Sequence, residues 1–252
     1  MIELVGKTVL VTGSSRGIGR SILETCHKAG ASVILHYHNS EAVAEAIAET
    51  LGRERCFVVR GNIANLDEAA SFWRQAVEWR GRIDALVNNA SIRVDVDPNA
   101  SDQDADAVWR AHVETNLIGP ANLCRLATRH FKTVGGGSIV NIASRAAFRG
   151  DTLECLHDGA SKAGLLALTK GLARHLGRHN IKCFAVAPGM IETDQLTDFF
   201  KIQSREDALR EVALGRTGQP HEIAATVAFL LSGLADYATG ATIDVNGASY
   251  LR

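Results

Sequence analysis

Short apolar runs rich in β-branched residues recur along the chain at Thr8–Thr12, Ser32–His36, Cys56–Val59, Ala85–Val87, Ser138–Ile142, Cys183–Ala187 and Thr242–Val245. They are nearly continuous in apolar character rather than alternating, which is the pattern of strands buried on both faces. Between them lie helix-length amphipathic segments: Gly19–Ala29, Glu41–Leu51, Asp67–Trp79, Ala105–Phe131, Ser161–Leu176 and Glu222–Leu231. Strands that alternate with helices require crossover connections, so the pattern predicts a doubly wound α/β fold, a seven-stranded parallel sheet with helices on both faces. Pro120 falls inside the long fourth helix, where its missing N–H predicts a kink just ahead of it. Two polar insertions, Arg93–Asp104 and Glu192–Arg210, follow predicted strand ends. Open parallel sheets bind ligands on that side, so both insertions read as parts of a lid.

Length and charge narrow the picture. At 252 residues and 46% hydrophobic, the chain is expected to form one domain over residues 1–252. A formal net charge of -1, with no basic run, gives no electrostatic case for nucleic acid or an anionic membrane, and leaves a small molecule as the expected partner. The opening Met1–Lys7 lacks the order of a secretory signal, and no apolar stretch reaches the roughly 20 residues of a membrane span, so a cytoplasmic location is expected. Five cysteines without CxxC spacing suggest neither a disulfide framework nor a zinc site, and no metal is expected.

Candidate chemistry begins at Thr12-Gly13-Ser14-Ser15-Arg16-Gly17-Ile18-Gly19, which follows the first predicted strand and opens a helix. Glycines there let the backbone turn tightly and approach a pyrophosphate, to which the helix offers N–H groups and its dipole. Taken alone, such a turn is also an ordinary strand-to-helix connection. Its spacing, however, together with Asn88-Asn89-Ala90 after the fourth strand and Ala160-Ser161-Lys162-Ala163-Gly164 on a later helix, resembles the short-chain dehydrogenases/reductases. Pro188-Gly189, Thr193, Gly240, Asp244 and Asn246-Gly247 carry the resemblance over essentially the whole chain.

That resemblance implies a Rossmann-type NAD(P)-binding domain, hydride exchange with a carbonyl or secondary alcohol, and a homotetramer. It assigns cofactor contacts to Gly13, Ser15, Arg16, Gly17, Ile18 and Gly19 of the turn, and to Tyr37 at the end of the second strand. Asn62 and Ile63 fall at the adenine edge, Asn89 and Ala90 beside the cofactor. Lys162, Pro188, Gly189, Ile191 and Thr193 complete the set, the threonine meeting the nicotinamide amide. A carboxylate that selects NAD would stand about 20 residues beyond the turn, yet His36-Tyr37-His38-Asn39-Ser40 contains no acid. Arg16 is placed to meet a 2′-phosphate, so NADP(H) is favoured, with NAD(H) as the alternative.

For the chemical step, the resemblance implies Asn116 as the anchor of a relay water, Ser144 as the group that steadies the substrate oxygen, and Lys162 as the lysine that tunes a proton donor. The donor in the family is a tyrosine four residues before the lysine, and here that position is Asp158. A phenol ionises near about pH 10 and a carboxylic acid near about pH 4, so beside a lysine the aspartate is a poor acid and its charge opposes an alkoxide. It is also shorter by a ring. The plainer reading makes Asp158 a first-turn residue that stabilises a helix N-terminus or pairs with Lys162. His157 has a suitable ordinary pKa, but successive helical residues point roughly 100° apart, so it replaces the tyrosine only if the helix begins after it. Arg93, Arg145 and Arg149 follow strand ends on the same side and are candidates for an anionic substrate; a solvated surface is the alternative for each.

Three functional readings follow: an NADP(H)-dependent oxidoreductase with altered catalysis, a silent nucleotide-binding sensor or assembly subunit, and a non-redox enzyme using Asp158 for proton abstraction or elimination. The tetramer expectation also rests on Ala105–Phe131 and Ser161–Leu176, where Leu165, Leu168, Leu172 and Leu176 form a stripe and Leu166, Ala167 and Ala173 leave other faces low in charge.

Overall fold

Seven parallel strands, β1 (Thr8–Val11), β2 (Ser32–Tyr37), β3 (Cys56–Arg60), β4 (Ala85–Asn88), β5 (Gly137–Ile142), β6 (Ile181–Pro188) and β7 (Thr242–Val245), form one sheet in the order β3-β2-β1-β4-β5-β6-β7. This computed structural model describes residues 2–201 and 204–252. The strand runs read from the sequence hold, each within two residues at its ends. Helices α1 (Gly17–Lys28), α2 (Glu41–Leu51) and α10 (Pro220–Leu231) cover one face of the sheet. On the other lie α3 (Leu66–Arg80), α5 (Gly119–Thr133) and α7 (Leu156–Leu176). Along β1 the side chains alternate between these layers: Val9 and Val11 join the first core, Leu10 the second. Burial on both faces is why β1 reads as a continuous apolar run over Val9–Val11.

The register places Val9 between Val33 of β2 and Ala85 of β4. Because β1 is followed in space by β2 on one side and β4 on the other, the winding reverses between β1 and β4, which opens a crevice beyond their carboxyl ends. The loops after β1 and β4 both start there. Further along the sheet, a buried polar chain ties β4 and β5 to α7. Asn88 Nδ2 donates to Asn141 Oδ1, Asn141 Nδ2 to Thr169 Oγ1, and Thr169 Oγ1 to the Leu165 carbonyl, each at 2.8 Å. Removing one member would strand the others at a cost of about 1–3 kcal/mol. The chain fixes the helix that carries Lys162.

Three expectations need correction. The predicted long helix Ala105–Phe131 is divided: α4 (Asp102–Val113) ends in a π-helical turn over Glu114–Ile118, and α5 starts anew at Gly119. Pro120 then sits in the first turn of α5, where a missing N–H costs nothing, and the expected kink takes the form of that π turn. The helix expected from Ser161 begins at Leu156, so His157 and Asp158 both lie in its first turn. An acid is stabilising at a helix N-terminus. Of the residues taken to leave a second face of that helix open, Leu166 and Ala173 are core residues and Ala167 alone is exposed.

The polar insertion after β6 contains two short helices, α8 (Asp194–Phe199) and α9 (Arg205–Leu209); Ile202 and Gln203 lie outside the described residues. The short α6 (Ala146–Arg149) follows β5. All five cysteines are buried and free. No described helix is long and apolar enough to cross a membrane.

Candidate functional site

At the carboxyl end of β1 the glycine turn is packed so closely that side chains are excluded. A Cβ on Gly19 would lie 2.3 Å from the Gly13 carbonyl oxygen and 2.4 Å from Asn89 Nδ2. Gly13 has φ +63° and would meet Ala90 Cα at 2.9 Å. Thr12 Oγ1 accepts the N–H groups of Asn89 and Ala90 at 3.0 Å, while Asn89 Nδ2 donates to the carbonyls of Thr12 and Gly13. The turn after β1 and the strand end of β4 are thereby one unit.

Sequence reasoning passed over the second support of this turn. His36, buried in β2, accepts the Gly13 N–H on Nδ1 at 3.1 Å and donates from Nε2 to the Gly61 carbonyl at 3.0 Å. Ser14 Oγ accepts the His36 N–H and donates to the Val11 carbonyl. Burial pushes the His36 pKa down to about 4, so the imidazole is neutral and able to accept. The signal in the sequence was a histidine interrupting an apolar strand, but only the fold shows that it faces the glycine turn.

The first turn of α1 has no acidic residue and no side-chain cap, and Arg16 at its N-cap is extended and exposed. Its N–H groups are open to an anion. Thr193 leans over the same turn, with Cγ2 3.3 Å from where a Gly17 Cβ would be. Ser15 is buried within the turn, Ile18 packs against the first core, and Tyr37 ends β2 opposite Arg60. Asn62 Oδ1 accepts the Ala64 N–H, and the Ile63 carbonyl lies where a Cβ on Gly119 would come within 2.8 Å. Gly189, after Pro188, sits 2.8 Å in Cβ terms from Asn246 Cα, and Ile191 bridges to Gly218. The glycine turn, Asn89, Ala90 and Thr193 thus meet at the crevice between β1 and β4, and a cradle that a Cβ would fill fits a dinucleotide.

The chemical candidates stand at the ends of β4 and β5. Asn116, buried in the π turn, donates from Nδ2 to the Ile92 carbonyl at 3.0 Å and to Asp158 Oδ1 at 3.2 Å, and its Oδ1 accepts the Ile92 N–H. Lys162 is buried and donates to the Ile142 carbonyl at 3.1 Å, two residues before Ser144. Burial lowers the Lys162 pKa, and the nearby Asp158 charge works against that shift. Ser144 Oγ accepts the Ala146 N–H at 3.1 Å. Asp158 is buried, and its Oδ2 lies 3.5 Å from Arg93 Nη1.

The family model described as enoyl-(acyl carrier protein) reductase matches residues 13–248. The chain belongs to the short-chain dehydrogenase/reductase family. Among its relatives is the 3-oxoacyl-[acyl-carrier-protein] reductase FabG of Staphylococcus aureus, 38% identical over 247 residues that cover 97% of this chain and 98% of that one. The L-rhamnose 1-dehydrogenase (NAD(P)(+)) of Azotobacter vinelandii is 37% identical over 259 residues, covering 99% and 98%. Among solved structures, a gluconate 5-dehydrogenase from Burkholderia cenocepacia, in complex with NADP and tartrate, superposes with a TM-score of 0.89 at 29% identity, over 98% of this chain and 96% of that one.

In this short-chain dehydrogenase/reductase the strap after β4 is held by two histidines. His157 donates from Nε2 to the Val94 carbonyl at 2.9 Å, and His112 Nε2 accepts the Val94 N–H at 3.2 Å. Their ring centroids are 4.0 Å apart, and the Trp109 ring lies 5.7 Å from that of His157 in an edge-on arrangement. Nε2 of His157 is engaged by the strap, while its Nδ1 is buried with no hydrogen-bond partner among the described residues; Asn116 and Asp158 are brought together. Arg93 is also engaged, pairing with Asp151 at 3.0 Å besides Asp158. It is exposed as a residue but paired on its inner side. Among the described residues, no group of three or more His, Cys, Asp or Glu is arranged to hold a metal.

Proposed function

We propose that the chain is an NADP(H)-dependent oxidoreductase of a carbonyl–alcohol pair, slow in turnover because Asp158 stands where the family places its tyrosine. The relatives support the cofactor, since one is named for NAD(P)(+) and the gluconate 5-dehydrogenase is complexed with NADP. The open N–H groups at the first turn of α1, beside Gly17, would take the pyrophosphate, with the close-packed Gly13 and Gly19 shaping the turn, and Arg16 would take the 2′-phosphate. Bound there, the nicotinamide supplies or accepts the hydride. Ser144 would steady the substrate oxygen, and Lys162, desolvated beneath β5, would place positive charge near the nicotinamide ribose.

One observation carries the reading of Asp158. Its carboxyl group is met by the Asn116 amide and the Arg93 guanidinium, both donors, with the Lys162 charge one helical turn away. Its two oxygens are thereby used as acceptors within the protein, Oδ1 facing Asn116 and Oδ2 facing Arg93, rather than held towards a substrate oxygen. The same contact favours the second reading, a silent NADP(H)-binding subunit, in which the Arg93–Asp158 pair simply closes the pocket.

Calorimetric binding of NADPH followed by an NADPH-oxidation assay across a panel of activated ketones and diketones tests the proposal. Tight NADPH binding with slow, substrate-dependent oxidation is expected. Binding without turnover on any substrate would favour the silent subunit, and absence of NADPH binding would overturn both.

A further inference from the structure

Three guanidinium groups stand around the carboxyl end of β5, and they differ in how well they are matched. Arg93 is matched by Asp151 and Asp158. Arg149 donates from Nη1 to Glu211 Oε2. Arg145, which immediately follows Ser144, is not matched. Its backbone N–H donates to the Pro188 carbonyl at 3.0 Å, which pins the residue between the ends of β5 and β6. Its side chain is only 13% exposed, and Nη1 is buried with no hydrogen-bond partner among the described residues. The facing acid, Glu211 Oε2, is 3.8 Å away, beyond hydrogen-bonding distance and already held by Arg149. Burial lowers the Arg145 pKa, the positive charges of Arg149 and Arg93 add to that effect, and the charges of Glu211 and Asp151 oppose it without reversing it.

A buried guanidinium short of acceptors is costly unless an anion supplies them, and its planar fork suits a carboxylate. Glu211 shows that such a group fits: one of its oxygens already faces both Arg145 and Arg149. Glu211 itself is half exposed, at 54%, and lies just after α9 in the polar segment beyond β6. It can leave at little cost.

We propose that Arg145 anchors a carboxylate carried by the substrate, which displaces Glu211 from the Arg145–Arg149 pair, so that the alcohol or carbonyl presented to Ser144 belongs to a hydroxy or oxo acid. The inference rests on the oxidoreductase reading above for its chemistry, but the anion site itself does not depend on turnover.

The test is calorimetric titration of tartrate, and separately of its uncharged diamide, into the protein with and without NADPH at constant ionic strength. Tartrate should bind at least about tenfold more tightly than the diamide, in line with a charge-assisted bidentate contact. Arg145→Gln should abolish that preference while leaving NADPH affinity unchanged, and Glu211→Gln should strengthen tartrate binding several-fold by removing the internal competitor. The Glu211 variant keeps the test informative if Arg145→Gln fails to fold. Equal binding of tartrate and diamide, no binding of either, a preference that survives Arg145→Gln, or weaker tartrate binding in Glu211→Gln would each overturn the proposal. Loss of NADPH binding with the tartrate preference intact would instead sink the oxidoreductase reading and leave the anion site standing.

Discussion

The backbone N–H of Gly13 donates to Nδ1 of His36 at 3.1 Å, so the turn that faces the dinucleotide crevice is held in place by a neutral imidazole. Protonation would convert that acceptor into a second donor facing an N–H, and would charge a buried ring. The folded pKa of about 4 lies below the ordinary histidine value of 6.5. Between these values the unfolded chain binds the proton and the folded chain does not. His36 therefore contributes full stability above about pH 6.5, lost progressively as the pH falls towards 4, a difference of roughly 3 kcal/mol. Burial also lowers the pKa of His112, which accepts the Val94 N–H, and this works in the same direction. Urea unfolding at pH 7.5 and 4.5 should show the loss, and His36→Gln should reduce it. A stability that does not change between these pH values would contradict the assignment.

Cofactor choice rests on Arg16, exposed at the N-cap of α1, and on the absence of an acid in β2, which ends at Tyr37. The expected outcome is tighter binding of NADPH than of NADH, with Arg16→Ala eroding the difference by weakening NADPH alone. Competitive titration of both nucleotides against the wild type and variant measures this. Equal affinities in the wild type would refute it.

Most of the fold was legible in the sequence because a doubly wound sheet buries its strands on both faces, which leaves continuous apolar runs such as Val9–Val11 and Val33–Leu35 with glycine turns between elements. The cofactor crevice was legible for a related reason: a close backbone approach demands glycine, and Gly13 and Gly19 have no room for a Cβ. What escaped were features made by contact between distant segments. His36 looks like a stray polar residue until Gly13, 23 positions away, is seen to lean on it. The π turn that presents Asn116 leaves no clear mark in a periodicity of 3.6. Arg93 and Asp158 are 65 apart in number, and only the strap after β4 brings them together.

Assembly is the next expectation. The exposed side of α7 carries Ala160, Ala167 and Gly171, with partly buried Ala163 and Gly164 between them, so a second helix can approach closely. With the leucine stripe absorbed by the chain's own core, this small-residue face is where α7 would pair in a homotetramer. Light scattering at micromolar concentration should give about four times the mass of one 27.0 kDa chain. Ala167→Glu should shift the mass towards smaller species; a monomeric wild type would refute the assembly.

In the proposed reading of position 158, the cofactor and substrate groups are retained and the proton donor that a tyrosine would supply is missing. The most direct measurement is the rate of NADPH oxidation with an activated diketone, compared between wild type and Asp158→Tyr. The variant should be faster by on the order of 10², the scale of a positioned general acid, with NADPH affinity little changed. Adding Lys162→Met to that variant should remove the gain, because a tyrosine without the lysine returns to its ordinary high pKa. A wild type that already turns over at ordinary rates and is slowed by Asp158→Tyr would contradict the account, and would place the chemistry on Asp158 itself.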